Sequence, residues 1–296
     1  MLYNLITNKT KESKLMKDVI MIKSGAWEAG ICARLGGNIV SLTYNGKNVL
    51  RPLVDESQLD INPYLQGAPI LLPANRTYLG KFSFEGVDYT LPLNEPRTNC
   101  HLHGLVLFQS FTVVSQSENE VVLKFVNSNG AIYPFDFEMT VTYSVDEDGA
   151  TQKYEIKNIG NKNMPYTFCL HTTFMQPENQ FTFPIAQRQE DIADIPTGRY
   201  IELNEVEKRF VTGSPAKDVK AGGYYSAGGH TATVDEFAYT VSENFDHWVT
   251  WNGWGKEDYI CLEPQAGKVN GLNIEDGYKL LAPNESETYT TRVHLA

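Results

Sequence analysis

The most regular signal along the chain is strict alternation of apolar and polar positions over short runs. In the segment MTVTYSV, Met139, Val141, Tyr143 and Val145 share one side, and Thr140, Thr142 and Ser144 the other. Period-two alternation of this kind predicts a strand with one face buried. The run ends at Asp146-Glu147-Asp148-Gly149, a turn signal. Alternation resumes in QKYEIKNIG, with Tyr154 and Ile156 inward and Lys153, Glu155 and Lys157 outward. Together these predict a hairpin. VVLKFVNSNG over 121–130 and the C-terminal TYTTRVHL read the same way. Nearer the N-terminus, IVSLTYNGKNVL places Asn45-Gly46 between two apolar runs, the strongest short-range hairpin signal.

Helical periodicity is scarce. ESKLMKDVI near residue 12 and LNEVEKRFV near 203 each suit a turn or two of helix. Sixteen tyrosines and fourteen phenylalanines add to the strand preference. No repeat, linker or composition break divides the chain. The expectation is an all-β protein in which residues 1–296 form a single large antiparallel domain, a sandwich or a barrel, with few short helices.

Composition narrows the partners. The chain is 42% hydrophobic and 21% charged, ordinary usage for a globular core. A net charge of -11 without a basic run argues against nucleic acid and against an anionic membrane surface, and favours a small neutral ligand. Cys32, Cys100, Cys169 and Cys261 share no C-x-x-C spacing and sit in apolar runs, which suits buried free thiols in a reducing compartment. The first residues lack the apolar stretch of a signal peptide, and no run is long enough to span a bilayer, so the expected location is cytoplasmic.

The stretch Asn99-Cys100-His101-Leu102-His103-Gly104 raises the question of chemistry. On an extended strand His101 and His103 point to one face, as a metal clamp would require. The acid that would complete such a clamp is missing, since Val106 and Leu107 occupy its positions. No metal is expected here. G-x-S-x-G, P-loop and dinucleotide-binding signatures are also absent. What remains is a set of polar groups set in apolar runs: Arg76 after GAPILLPAN, His101 and His103, His171 within FCLHTTF, and Glu263 at the end of YICLEP. Each carries a desolvation cost unless paired or functional, so their recurrence suggests one shared pocket.

In this order, GAPILLPANR, NEPRTNCHLHG, LHTTF, ICLEPQAG and LLAPNESETYTTRVHL resemble the aldose 1-epimerases, or mutarotases, and LGGNIVSLTYNGKNVL extends the resemblance toward the N-terminus. The resemblance implies a large antiparallel β-sandwich of galactose-mutarotase type, the supersandwich, with a sugar cleft on one sheet. It implies interconversion of the α and β anomers of a free hexose, with no cofactor. By position, Arg76 and Asn75 would bind sugar hydroxyls and His103 would contact the ring side. His171 would be the general acid and Glu263 the general base, the latter ionised at neutral pH. Trp251, or a tyrosine of Tyr224-Tyr225, could stack on a sugar face. The protein would act as a monomer or homodimer.

Two departures stand out. Thr172-Thr173 replaces the family's Pro-Tyr after the histidine, and the region before Thr250-Trp251-Asn252 holds no aspartate until Asp235 to match the family's sugar-binding one. The change after His171 motivates one alternative, a carbohydrate-binding or regulatory protein without turnover; Arg76 and Arg97 suggest another, a hexose 6-phosphate 1-epimerase.

Overall fold

The computed structural model describes residues 16–296. Two eight-stranded antiparallel sheets face each other. The first runs, in spatial order, Thr112–Gln116, Glu120–Asn127, Phe137–Val145, Gly149–Asn158, Ser286–Leu295, Phe237–Val241, Thr231–Val234 and Phe181–Thr182. The second runs Ile195–Ile201, Ile185–Ile192, Gly222–Ala227, His247–Trp251, Tyr259–Ala266, Phe168–Leu170 and Ile70–Leu71, with Thr173–Met175 also pairing onto Tyr259–Ala266. A four-stranded sheet of Val19–Ser24, Trp27–Cys32, Asn38–Tyr44 and Lys47–Asn48 stands beside them. The expected β-sandwich is therefore the fold.

The alternating runs form the hairpins expected of them. Met139 pairs with Ile156 and Val141 with Tyr154, and all four are buried. The Asn45-Gly46 turn joins Asn38–Tyr44 to Lys47–Asn48, with φ of 49° and 74° at its two residues. Two successive positive φ values are what a type I′ turn requires, which explains the Asn-Gly pair. One contiguous core spans both large sheets, fastened by Phe168 against Tyr154 and Tyr289, with ring centroids 5.6 and 4.8 Å apart. All four cysteines are buried and free.

Among the described residues there are two α-helices, Ser57–Ile61 and Glu205–Thr212. The second matches the expectation near 203. Its start is a capping box: Asn204 Oδ1 accepts from the backbone of Val206 and Glu207, and Glu207 Oε2 accepts from Asn204 N. Of the helix expected near residue 12, residues 12–15 lie outside the described residues. The described part is a single 3-10 turn, Met16–Asp18, after which Val19–Ser24 joins the four-stranded sheet instead. No helix among the described residues is long and apolar enough to cross a membrane.

The strand Tyr259–Ala266 is buried along its whole length, with Ile260, Leu262 and Ala266 in the sandwich core. Leu262 enters the core cluster, so its neighbour Glu263 must face the opposite way. That outer face carries the candidate site.

Candidate active site

Sheet register builds the floor of the site. Phe168 pairs with Ala266 and Cys169 with Gln265; beyond a break, Thr173 pairs with Cys261 and Phe174 with Ile260. Both segments share one offset, so His171 falls directly opposite Glu263 although no strand is formed at that point. On the other side of Glu263 the register continues to Val249 and then to Tyr224. Cross-strand neighbours share a face. His171, Glu263, Val249 and Tyr224 thus form one row, and all four line a cavity of about 1350 Å³.

Within that row His171 Nε2 stands 3.5 Å from Glu263 Oε1, with the two side chains only 7% and 2% exposed. Burial disfavours charge on both groups. It pushes the Glu263 carboxyl up to about 8, against the opposing pull of the Arg76 charge, and pushes His171 down to about 4. Burial thus works against the ionised form of Glu263 that the expected base role needs.

His103 reaches the same place by a different route from the one its spacing suggests. The strand Cys100–Leu102 stops before it, and His103 and Gly104 both adopt left-handed backbone, with φ of 63° and 64°. A Cβ on Gly104 would sit 2.0 Å from the Leu72 carbonyl oxygen, so only glycine fits this close approach. The turn separates the two histidines. His103 lines the cavity, its ring 5.2 Å from that of His171, and its Nδ1 has no protein partner. His101 Nδ1 instead lies 2.7 Å from the Pro92 carbonyl and is not part of the cavity wall. The expectation of a shared face fails because the chain is not extended at His103.

Arg76 and Asn75 also line the cavity. Arg76 is gripped by Glu95 through Nε and Nη2, at 2.7 and 2.8 Å, and by the Tyr224 hydroxyl through Nη1. Burial works against the Glu95 carboxylate, but hydrogen bonds from Arg76 and Thr98 outweigh it and hold its pKa below the ordinary range. Asn75 is buried with φ of 53°, and its Oδ1 has no protein partner. Trp251 is a wall residue, with Trp254 at 4.5 Å in an edge-on arrangement. Tyr224 and Tyr225 both line the cavity, and the Tyr225 hydroxyl donates to Glu207 Oε1 at 3.0 Å.

The departures find their place. Thr172 turns into the core, its Oγ1 2.8 Å from the Tyr239 hydroxyl, and Thr173 Oγ1 donates to the His171 carbonyl at 3.2 Å. The aromatic wall beside the histidines comes from Tyr64, whose ring lies 4.4 Å from His103 and 6.2 Å from His171. Asp235 sits outside the cavity, accepting from the backbone of Glu178, Asn179 and Gln180. Tyr64, Glu95, and Arg188 with its partners Asp191 and Glu207 are cavity residues that sequence reasoning did not find. The one available signal was Asn62-Pro63 before Tyr64, a turn that presents an aromatic.

Residues 18–294 match the family described as aldose 1-epimerase. The chain belongs to the aldose 1-epimerase family. Solved structures of similar shape include a galactose mutarotase-like protein from Clostridium acetobutylicum, 23% identical with a TM-score of 0.86, covering 94% of this chain and 95% of that one. Another is galactose 1-epimerase from Lactobacillus acidophilus NCFM, 16% identical with a TM-score of 0.76, covering 99% and 98%. Likeness at this identity speaks for the fold. Among curated proteins, YihR of Escherichia coli K12 is 25% identical over 154 residues, and the match covers 51% of this chain and 48% of that protein, about half of each.

Proposed function

We propose that the protein interconverts the α and β anomers of a free hexose by general acid/base catalysis. The observation that carries this reading is the facing of His171 and Glu263 at 3.5 Å on the floor of a sugar-sized cavity. Anomer exchange needs one proton removed from the C1 hydroxyl and one delivered to the ring oxygen. The C1–ring oxygen bond then breaks, the aldehyde turns over, and the steps reverse.

A buried pair sharing one proton suits that requirement. Moving the proton from Glu263 to His171 yields a carboxylate base and an imidazolium acid without changing net charge, and the Arg76 charge favours the carboxylate. Glu263 then takes the C1 hydroxyl proton and His171 protonates the ring oxygen. Arg76, Asn75 and His103 hold sugar hydroxyls, and Trp251 offers a ring face. The chemistry calls for no redox group.

The hexose 6-phosphate alternative draws less support. Arg76, Arg97 and Arg188 are each already paired with carboxylates of the same wall, Glu95, Asp194, Asp191 and Glu207. A phosphate entering there would meet those carboxylates as well. Polarimetry of freshly dissolved α-D-glucose and α-D-galactose tests the proposal. The expected result is faster decay to the equilibrium rotation. Sugar binding by calorimetry with no acceleration on either sugar would overturn it in favour of a binding protein.

A further inference from the structure

Cys261 is a buried thiol that the proposed reaction does not use. It lies two residues before Glu263 on the same strand and therefore on the same sheet face, paired with Thr173 on one side and Trp251 on the other. Its Sγ, a nitrogen of His171 and a carboxylate oxygen of Glu263 all fall within 4.8 Å of one another. A four-coordinate zinc site, with bonds of ~2.0–2.3 Å, spaces its donors by roughly 3.3–3.8 Å. The His171–Glu263 separation of 3.5 Å already meets that spacing, and the thiol needs only a small shift to join.

We propose that His171, Cys261 and Glu263 form a site for a thiophilic divalent cation, zinc or cadmium, that shuts the cavity down. The donor set is one imidazole, one thiolate and one carboxylate, the mixture that borderline-soft d¹⁰ ions prefer. A dication with two anionic ligands is neutral overall, which suits a buried location. His171 and Glu263 line the cavity, so the ion has a way in, and His103, 7% exposed with an unpartnered Nδ1, lines the same cavity. On binding, the thiol proton and the proton shared by the His171–Glu263 pair both leave to the buffer, and the Glu263 oxygen is taken up by the metal. The ion therefore acts as an inhibitor competing with sugar. Cys169, whose Sγ lies 3.9 Å from the other Glu263 oxygen, is outside the set.

The test uses the full chain and cobalt(II) as a spectroscopic stand-in, without sugar. Titration should produce a sulfur-to-cobalt charge-transfer band that zinc abolishes by displacement. Cys261→Ala and Cys261→Ser should lose the band and bind zinc at least ~100-fold more weakly, since even second-layer partners of a metal are worth ~10–100-fold. Cys169→Ser should keep both. No band in the wild-type protein, or a band that survives in the Cys261 variants, overturns the proposal. Because this readout needs no turnover, it stands or falls separately from the epimerase reading. In a polarimetric assay, zinc should slow mutarotation by the wild type, a chelator should restore it, and Cys261→Ala should be zinc-resistant. Inhibition of equal potency in that variant also overturns the proposal.

Discussion

The backbone N–H of His103 donates to the carbonyl of Asn75 at 2.8 Å, and both residues hold left-handed backbone. Two proposed sugar ligands from separate segments are thus locked to each other at the main chain. Left-handed backbone costs a non-glycine residue ~1–2 kcal/mol, so the surrounding packing must hold it. Gly104 is the hinge of that packing. Gly104→Ala adds a Cβ against Leu72 at positive φ and should destabilise the protein by at least ~2 kcal/mol, with sugar affinity falling too. A urea midpoint unchanged from wild type would refute this account of the turn.

Glu263→Gln and His171→Asn each keep approximate shape and remove proton transfer. Each should lower kcat by ~10²–10⁴-fold, the usual worth of a positioned acid or base, while leaving KM within a few-fold. Either variant turning over at near wild-type rate would remove that residue from the chemistry.

The rate should depend on pH in a bell with a broad top. Below about 4, His171 and Glu263 are both protonated and no base remains; above about 8, both are deprotonated and no acid remains. Stability follows the same groups. From ~4.3, the ordinary glutamate value, up to about 8 the native protein keeps on Glu263 a proton that the unfolded chain has lost, so stability falls as pH rises. From about 4 to ~6.5 the unfolded chain holds a proton on His171 that the native state lacks, so stability rises with pH. The slopes oppose until ~6.5, and above that only the Glu263 decline is left. Urea unfolding at pH 6.5 and 8 should show that decline in the wild type and a flatter line in Glu263→Gln. Equal slopes would contradict the assignment.

Arg76 is oriented by a two-pronged grip from Glu95, which a lysine cannot reproduce. Arg76→Ala should cost ~10–100-fold in kcat/KM, the worth of one or two charge-assisted hydrogen bonds. Arg76→Lys should recover little of it. Full recovery by lysine would show that charge alone matters at this position.

Much of the fold was legible because the evidence for it is local. Hairpin partners such as Val141 and Tyr154 lie close in sequence, and their alternation states which side is buried. The site was legible only as a set of misplaced polar residues, His171, Glu263 and Arg76 among apolar neighbours. Their assembly depends on register between strands distant in sequence, which alternation does not encode. His101 was misread because one left-handed residue overrides strand geometry. The burial that acts on Glu263 was not legible, because nothing in ICLEPQ reports that the strand is covered along its whole length.

Glu263 stands in the middle of a strand buried along its whole length, and His171 is pinned opposite it by the pairing on either side, while Arg97 and Trp254 come from connecting segments that line the cavity. The proposed acid and base thus rest on sheet pairing, whereas part of the cavity wall does not. Redesign can follow that seam: libraries confined to Arg97 and Trp254 should shift sugar preference while the unfolding midpoint stays put.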